Sequence, residues 1–393
     1  MSISVGLGKG VDPVHIDREV FTTLLENSYA STYAAYSHTL ERGSITLHAL
    51  QILARNGKIP YSLLFAPLPL VQAQVQAKTA KLLEGTGKDS FSVNSRHSVE
   101  LRHVELIVMD LLRKQTLLKS CDDTLRPNSI VGMLGKPGRT VESDANDLMD
   151  AIGLAPAQLR SARTKEAALD LLIERLEANQ ILVARRAQHY MPQTLRPEAK
   201  LSGITISDKK IPYIFLGRES DAEEPFGRQV LTLTLLTVLI AHKIFKPVNY
   251  DARITGQRPG RHYRITEEIL MPARDTRHLR LDTIDGIDAA ANVFKVTPSA
   301  MTVRAWHLGK IDASEAQAHL AVFSQRYANR KKQNGASKFL PVNGVLRYAG
   351  KEYTSRMLGA LDAGKVPPGQ FYRAVCLNML GPSQLGDLRT ALQ

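Results

Sequence analysis

Two sets of side chains in this sequence have the chemistry of a site: scattered histidines and carboxylates that could hold a metal, and runs of arginine and lysine that could hold phosphate. His242, His262 and His278 lie in separate segments, so only folding could bring them to one cation. The plain alternative puts His242 at the end of a buried helix, where a cation suits the dipole. It leaves His262 and His278 among arginines on a solvated surface. Glu267 and Glu268 are the right types for an acid/base pair, but adjacent residues on a helix point in different directions. One is expected inside against an arginine and the other in solvent. GMLGKPGRT has the glycines and lysine of a phosphate loop, yet Lys136 is followed by Pro137 where magnesium binding needs Ser or Thr.

The basic candidates are Arg258, Arg261 and Arg264 in a loop spanning Asp251 to Arg264, and Arg326, Arg330, Lys331 and Lys332 in a charged run that includes Tyr327. Such residues contact phosphates when they serve nucleic acid, and otherwise form a solvated face. The whole chain leans the same way. Its 393 residues hold 51 Lys plus Arg against 38 Asp plus Glu, a formal charge of +13, which favours DNA or an acidic protein as partner.

Composition bounds the rest. The chain is 44% hydrophobic and 23% charged, as expected of a globular protein with room for two or three cores. Cys121 and Cys376 have no CxxC spacing, so neither a disulfide framework nor a cysteine zinc cluster can be built, and a reducing cytoplasm is the expected compartment. Met1 to Gly10 has no signal-peptide h-region, and no run of about 18 apolar residues occurs, so no membrane partner is expected.

The elements that must position these residues follow from periodicity. Ile16 to Leu53 predicts two or three short helices, Val71 to Leu83 a polar helix, and Val99 to Leu118 an amphipathic helix with Arg102, Glu105, Arg113 and Lys114 off its apolar face. Val141 to Ile152 and Lys165 to Asn179 predict two more helices, and QILVAR a strand. Leu201 to Ser207 and Ile211 to Leu216 predict a β-hairpin turning at Asp208, Lys209 and Lys210. Val230 to Ala241 predicts a buried core element. Ile287 to Leu308 has a helix-turn-helix-like pattern with Thr297 as N-cap, Met301 and Ala305 facing the core, and Thr302 and Arg304 pointing elsewhere. Trp306 is expected to be a packing anchor.

Several segments in order resemble the ImmA/IrrE-type metallopeptidase-like regulators fused to an N-terminal helix-turn-helix. QILARNGKIPYSLLFAPLP is similar to the end of the N-terminal module. LEANQILV, GITISDKKIPYIFLGRESD and GRQVLTLTLLTVLIAH are similar to the strand, hairpin and helix that lead to and carry the family's HExxH motif. EEILMP, FKVTPSAMTVRAWHLGKID and the tail from Gly350 complete a resemblance that runs from Ile16 to Leu392.

The resemblance implies an α+β, mostly helical fold: a degenerate zincin-like core of small sheet plus helices, with helical N- and C-terminal units. It implies an N-terminal helical unit at 16–70, a helical connector at 71–125, the peptidase-like domain at 126–335 and a C-terminal helical unit at 336–393. The zinc chemistry does not follow. A zincin needs His, Glu and His on one helix and a third ligand from another. Here Thr234, Leu235 and Val238 stand at those positions, or Leu235, Leu236 and Leu239 in the neighbouring register, and Arg261 lies near the third. The expectation is a non-enzymatic prokaryotic or phage regulator, transcriptional or antitoxin-like, with no catalytic residue, metal or cofactor. Its partners are DNA through the basic patches and a protein such as a toxin or repressor. The alternatives are a protein-only adaptor of a mobile element and an atypical metallopeptidase.

Overall fold

The computed structural model describes residues 2–8, 10–84, 101–195, 201–218, 225–248, 260–329 and 340–393. The chain opens with strands, not helices: β1 (Ser2–Gly6) pairs antiparallel with β2 (Val14–Asp17) and parallel with β3 (Ser44–Thr46). Around this sheet pack α1 (Arg18–Glu26), α2 (Ala34–Arg42), α3 (Leu47–Asn56) and α4 (Leu68–Glu84). Side-chain oxygens start two of these helices, Asp17 accepting from the Glu19 N–H and Thr46 from the Ala49 N–H. Ile3, Val5, Ile16 and Ile45 join Phe21, Leu25, Leu50 and Leu53 in one core. The expected all-helical N-terminal unit is therefore corrected. The three helices are present, but the four residues linking α2 to α3 include β3, an extended segment paired with β1, where a helix-turn-helix has a turn.

The middle of the chain follows the sequence pattern closely. After α5 (Glu105–Cys121) come α6 (Val141–Ile152), α7 (Pro156–Ser161), α8 (Lys165–Ala178), β4 (Leu182–Arg185), β5 (Leu201–Ile206), β6 (Tyr213–Arg218), α9 (Phe226–Ala241) and β7 (Pro247–Val248). The second sheet has the order β4-β6-β5-β7, with β4 parallel to β6 and β5 antiparallel to both its neighbours. Asp208 closes the β5–β6 hairpin by accepting from the N–H groups of Lys210 and Ile211 at 2.8 and 3.0 Å. The remaining helices are α10 (Arg261–Leu270), α11 (Ala273–Thr276), α12 (Ile284–Val293), α13 (Pro298–His307), α14 (Ala313–Ala328), α15 (Pro341–Ala349), α16 (Lys351–Asp362), α17 (Pro368–Ala374) and α18 (Leu385–Thr390). The fold is α+β and mostly helical. Among the described residues no helix is long and apolar enough to cross a membrane.

Alternation along the strands sends successive side chains to opposite faces of the sheet. Val183, Ile214 and Leu216 enter a core with α6, α8, α9, α10, α12 and α13. Leu182, Ala184, Tyr213 and Phe215 enter a second core with α5 and residues 342–388, so the segments read as connector and C-terminal unit meet on one face of the sheet. Covering α5 on more than one side has a consequence the periodicity did not show. Glu105 and Lys114, expected off the buried face, are both 1% exposed. Lys114 is paired with Asp110 and sits 4.6 Å from the centre of the Tyr348 ring, and the Tyr348 hydroxyl donates to Asp110 at 2.9 Å. A buried charge is tolerated only with such partners.

α9 is the central element. Every residue from Gln229 to Ala241 is buried, and its threonines satisfy themselves: Thr234 Oγ1 donates to the Val230 carbonyl and Thr237 Oγ1 to that of Leu233. Gly203 on β5 lets the helix approach, because a Cβ there would lie 2.6 Å from the Leu236 side chain and 2.9 Å from the Phe215 carbonyl.

Glu177, at the end of α8, is 5% exposed and accepts from the N–H groups of Val183 and Glu352. Burial pushes its carboxyl up to about 7. The folded state therefore holds this proton more tightly than the unfolded chain. The associated stability is full below the ordinary carboxyl range and is lost as pH rises towards 7 and beyond. Glu177→Gln should remove a loss of about 3 kcal/mol between pH 4.5 and 8, read as the difference between the two proteins in urea unfolding at each pH. Parallel stability curves would contradict it.

Candidate functional site

The C-terminal end of α9 and the start of α10 bring together residues from both sets of candidates. His242 caps α9. Its Nδ1 donates to the Val238 carbonyl at 2.9 Å, which fixes the tautomer and leaves a buried Nε2 without a hydrogen-bond partner. The ring of His262, the second residue of α10, lies edge-to-face with it at 4.5 Å between centres. Burial pulls His262 down to about 4, and the charges of His242, Lys246 and Arg261 add to the effect. His262 is half-buried, not solvated as the arginine-rich sequence suggested, whereas His278 is exposed as expected.

Lys246 follows the turn after α9, held in place by its N–H donating to Thr205 Oγ1 at 2.9 Å. It is 8% exposed, and among the described residues its ammonium has no carboxylate partner. Burial lowers its affinity for a proton. No third imidazole, thiol or carboxylate joins His242 and His262 among the described residues.

Arg261 is not in a loop but opens α10. Its guanidinium donates to Asp144 Oδ2 at 2.5 Å and to the Arg139 carbonyl at 2.7 Å. Asp144 is fully buried and also accepts from Arg139 Nε, while Arg139 reaches Asp147 as well. Arg264 is exposed on the same helix. Arg326 is helical too, in the last turn of α14, and pairs with Asp288 at 2.7 Å. Arg258, Arg330, Lys331 and Lys332 lie outside the described residues.

A second cluster departs from the sequence expectation. Arg304 and Thr302, expected away from the core, are 5% and 0% exposed. Arg304 donates to the Met271 carbonyl at 2.9 Å and to Glu268 Oε2 at 2.5 Å, and lies 3.5 Å from Glu267 Oε2. His307 Nδ1 meets Glu267 Oε1 at 2.7 Å. Both glutamates thus turn inward to one arginine, instead of one facing solvent, because Arg304 and His307 of α13 reach the end of α10. The signal available was the spacing of Arg304 and His307, one turn apart on a helix that also carries buried Met301. Trp306 is partly buried against the same core, as an anchor would be.

Elsewhere, a cleft of about 240 Å³ is lined by Glu26, Asn27, Lys78, Thr79, Leu82, Arg102 and Glu105. Its buried carboxylate is already neutralised, with Lys78 Nζ 2.5 Å from Glu105 Oε1. Comparisons with protein-family models, with curated proteins and with solved structures found no match for this chain.

Proposed function

We propose that the protein is a non-catalytic regulator of prokaryotic or phage type, in which a peptidase-like arrangement serves as a binding scaffold and DNA is the partner favoured by charge. The observation that carries this reading is the chemistry of the helix at the motif positions. Thr234, Leu235 and Val238, or Leu235, Leu236 and Leu239, are at most 4% exposed in the core, and none is a zinc ligand or a base. At the third position Arg261 is a cation committed to Asp144.

The distribution of charge supports DNA as the partner. Residues 1–70 carry five basic and five acidic side chains, whereas residues 126–335 carry 31 against 23 and residues 336–393 seven against three. The positive field belongs to the second half of the chain, away from the N-terminal unit. Affinity for duplex DNA should fall steeply with salt, and changing Arg330, Lys331 and Lys332 together to Ala should shallow the log-log slope by up to ~3 units. Arg261→Ala and Arg326→Ala should move it less, since both guanidinium groups are already paired. Fluorescence anisotropy at two salt concentrations measures this. Absence of binding at low salt would remove DNA and favour a protein-only adaptor.

A further inference from the structure

We infer that Arg274, Arg277 and Arg280, with Lys310 and Arg163 beside them, form a surface that docks the phosphate backbone of duplex nucleic acid. The inference rests on the reading of DNA as partner and gives it a location apart from the α9–α10 arrangement. Segments from three parts of the chain meet there. Arg160, at the end of α7, donates to Asp275 Oδ2 of α11 at 2.7 Å, and exposed Arg163 comes just after it. Lys310, in the turn between α13 and α14, donates to the Arg277 carbonyl at 2.6 Å.

The backbone of residues 274–280 is pinned while its cations point outward. Thr276 is fully buried with its hydroxyl on the Pro272 carbonyl, and Leu281 enters the core. Gly286 lets α12 press against this segment, because a Cβ there would lie 2.0 Å from the Arg280 carbonyl. Arg274 and Arg277 are spaced i, i+3 on α11 and its helical C-cap, so they share a face. The side chains of Arg274 and Arg280 are 64% and 80% exposed, and Arg277 and His278 are exposed between them. Among the described residues neither the Arg277 guanidinium nor the Lys310 ammonium is paired with a carboxylate.

Residues 156–165, 273–282 and 308–312 hold seven basic side chains against three acidic ones, a net +4 of the chain's +13. Each of the three acids leaves that field in place. Asp275 is committed to Arg160, Asp312 caps α14, and Asp282 stands 3.8 Å from Arg280 in an exposed pair of little strength. The choice between nucleic acid and an acidic protein follows from what the surface lacks. A protein interface is organised around apolar or aromatic anchors. None of the large apolar side chains exposed among the described residues falls in these three segments. Guanidinium forks without an apolar centre match phosphate oxygens, and such contacts carry no sequence information.

The test is fluorescence anisotropy of the full chain with two short DNA duplexes of unrelated sequence over a range of salt. Wild type is compared with the triple variant Arg274→Gln, Arg277→Gln and Arg280→Gln. Both duplexes are expected to bind alike, and the variant to shallow the log-log salt slope by about 2–3 units. Phenylglyoxal labelling of the wild type is a second readout that needs no variant to fold: duplex DNA is expected to protect Arg274, Arg277 and Arg280. DNA binding with an unchanged slope and unprotected arginines would overturn this location and leave DNA as partner. Absence of binding at low salt would overturn both. Binding of poly-glutamate in place of DNA, lost in the triple variant, would overturn nucleic acid in favour of an acidic protein.

Discussion

Arg304→Met should destabilise the protein by about 3–5 kcal/mol, among the largest effects of any single substitution in the chain. The side chain is 7% exposed and holds Glu268 at 2.5 Å, Glu267 at 3.5 Å and the Met271 carbonyl. Methionine fills much of the volume but leaves two buried carboxylates without their arginine and a carbonyl without its donor. Breaking such a pair from one side costs more than the pair itself contributes, because the stranded charge has nowhere to go. Combining Arg304→Met with Glu267→Gln and Glu268→Gln should therefore recover a large part of the loss. Urea unfolding of the single and triple variants measures both. A cost under about 1 kcal/mol for the single variant would mean that the carboxylates are solvated, as in an exposed pair.

Leu236→Ala should cost about 2–5 kcal/mol. The residue is fully buried at the centre of α9, packed over Gly203 on β5. Neither partner can move to fill the space: the strand is bonded on both sides, and the helix is enclosed along its length. The expected readout is a lower unfolding midpoint with an unchanged denaturant slope. An unchanged midpoint would place this face of α9 in solvent, in a cleft instead of a core.

Burial of this helix was legible because the run from Val230 to Ala241 has no charged residue to point at water. The β5–β6 hairpin was legible for a related reason, since Asp208 and the two lysines interrupt two apolar segments at the length of a turn. What the sequence hid depends on distance. β1 to β3 are three to five residues long, and β3 sits between two helices, too short for alternation to declare itself. Glu267 and Arg304 are far apart in the chain, and only the fold, which brings Arg304 to the end of α10, shows that both glutamates face inward. Periodicity likewise assumes that a helix has one buried face. α5 lies between other elements, so Lys114 and Glu105 had to be buried with partners drawn from elsewhere. At the candidate site, His242 was read correctly as the end of a buried helix, while Lys246 gave no signal. A single lysine after a helix looks like any solvated one until its neighbours are known.

We propose that the α9–α10 arrangement is a binding scaffold and not a zinc centre. Elemental analysis of the purified full chain after exhaustive dialysis tests it most directly. No stoichiometric zinc is expected, because buried Thr234, Leu235 and Val238 supply no ligand and Lys246 and Arg261 repel a cation from the His242–His262 pair. A one-to-one zinc content that survives dialysis and disappears in His242→Ala or His262→Ala would contradict it.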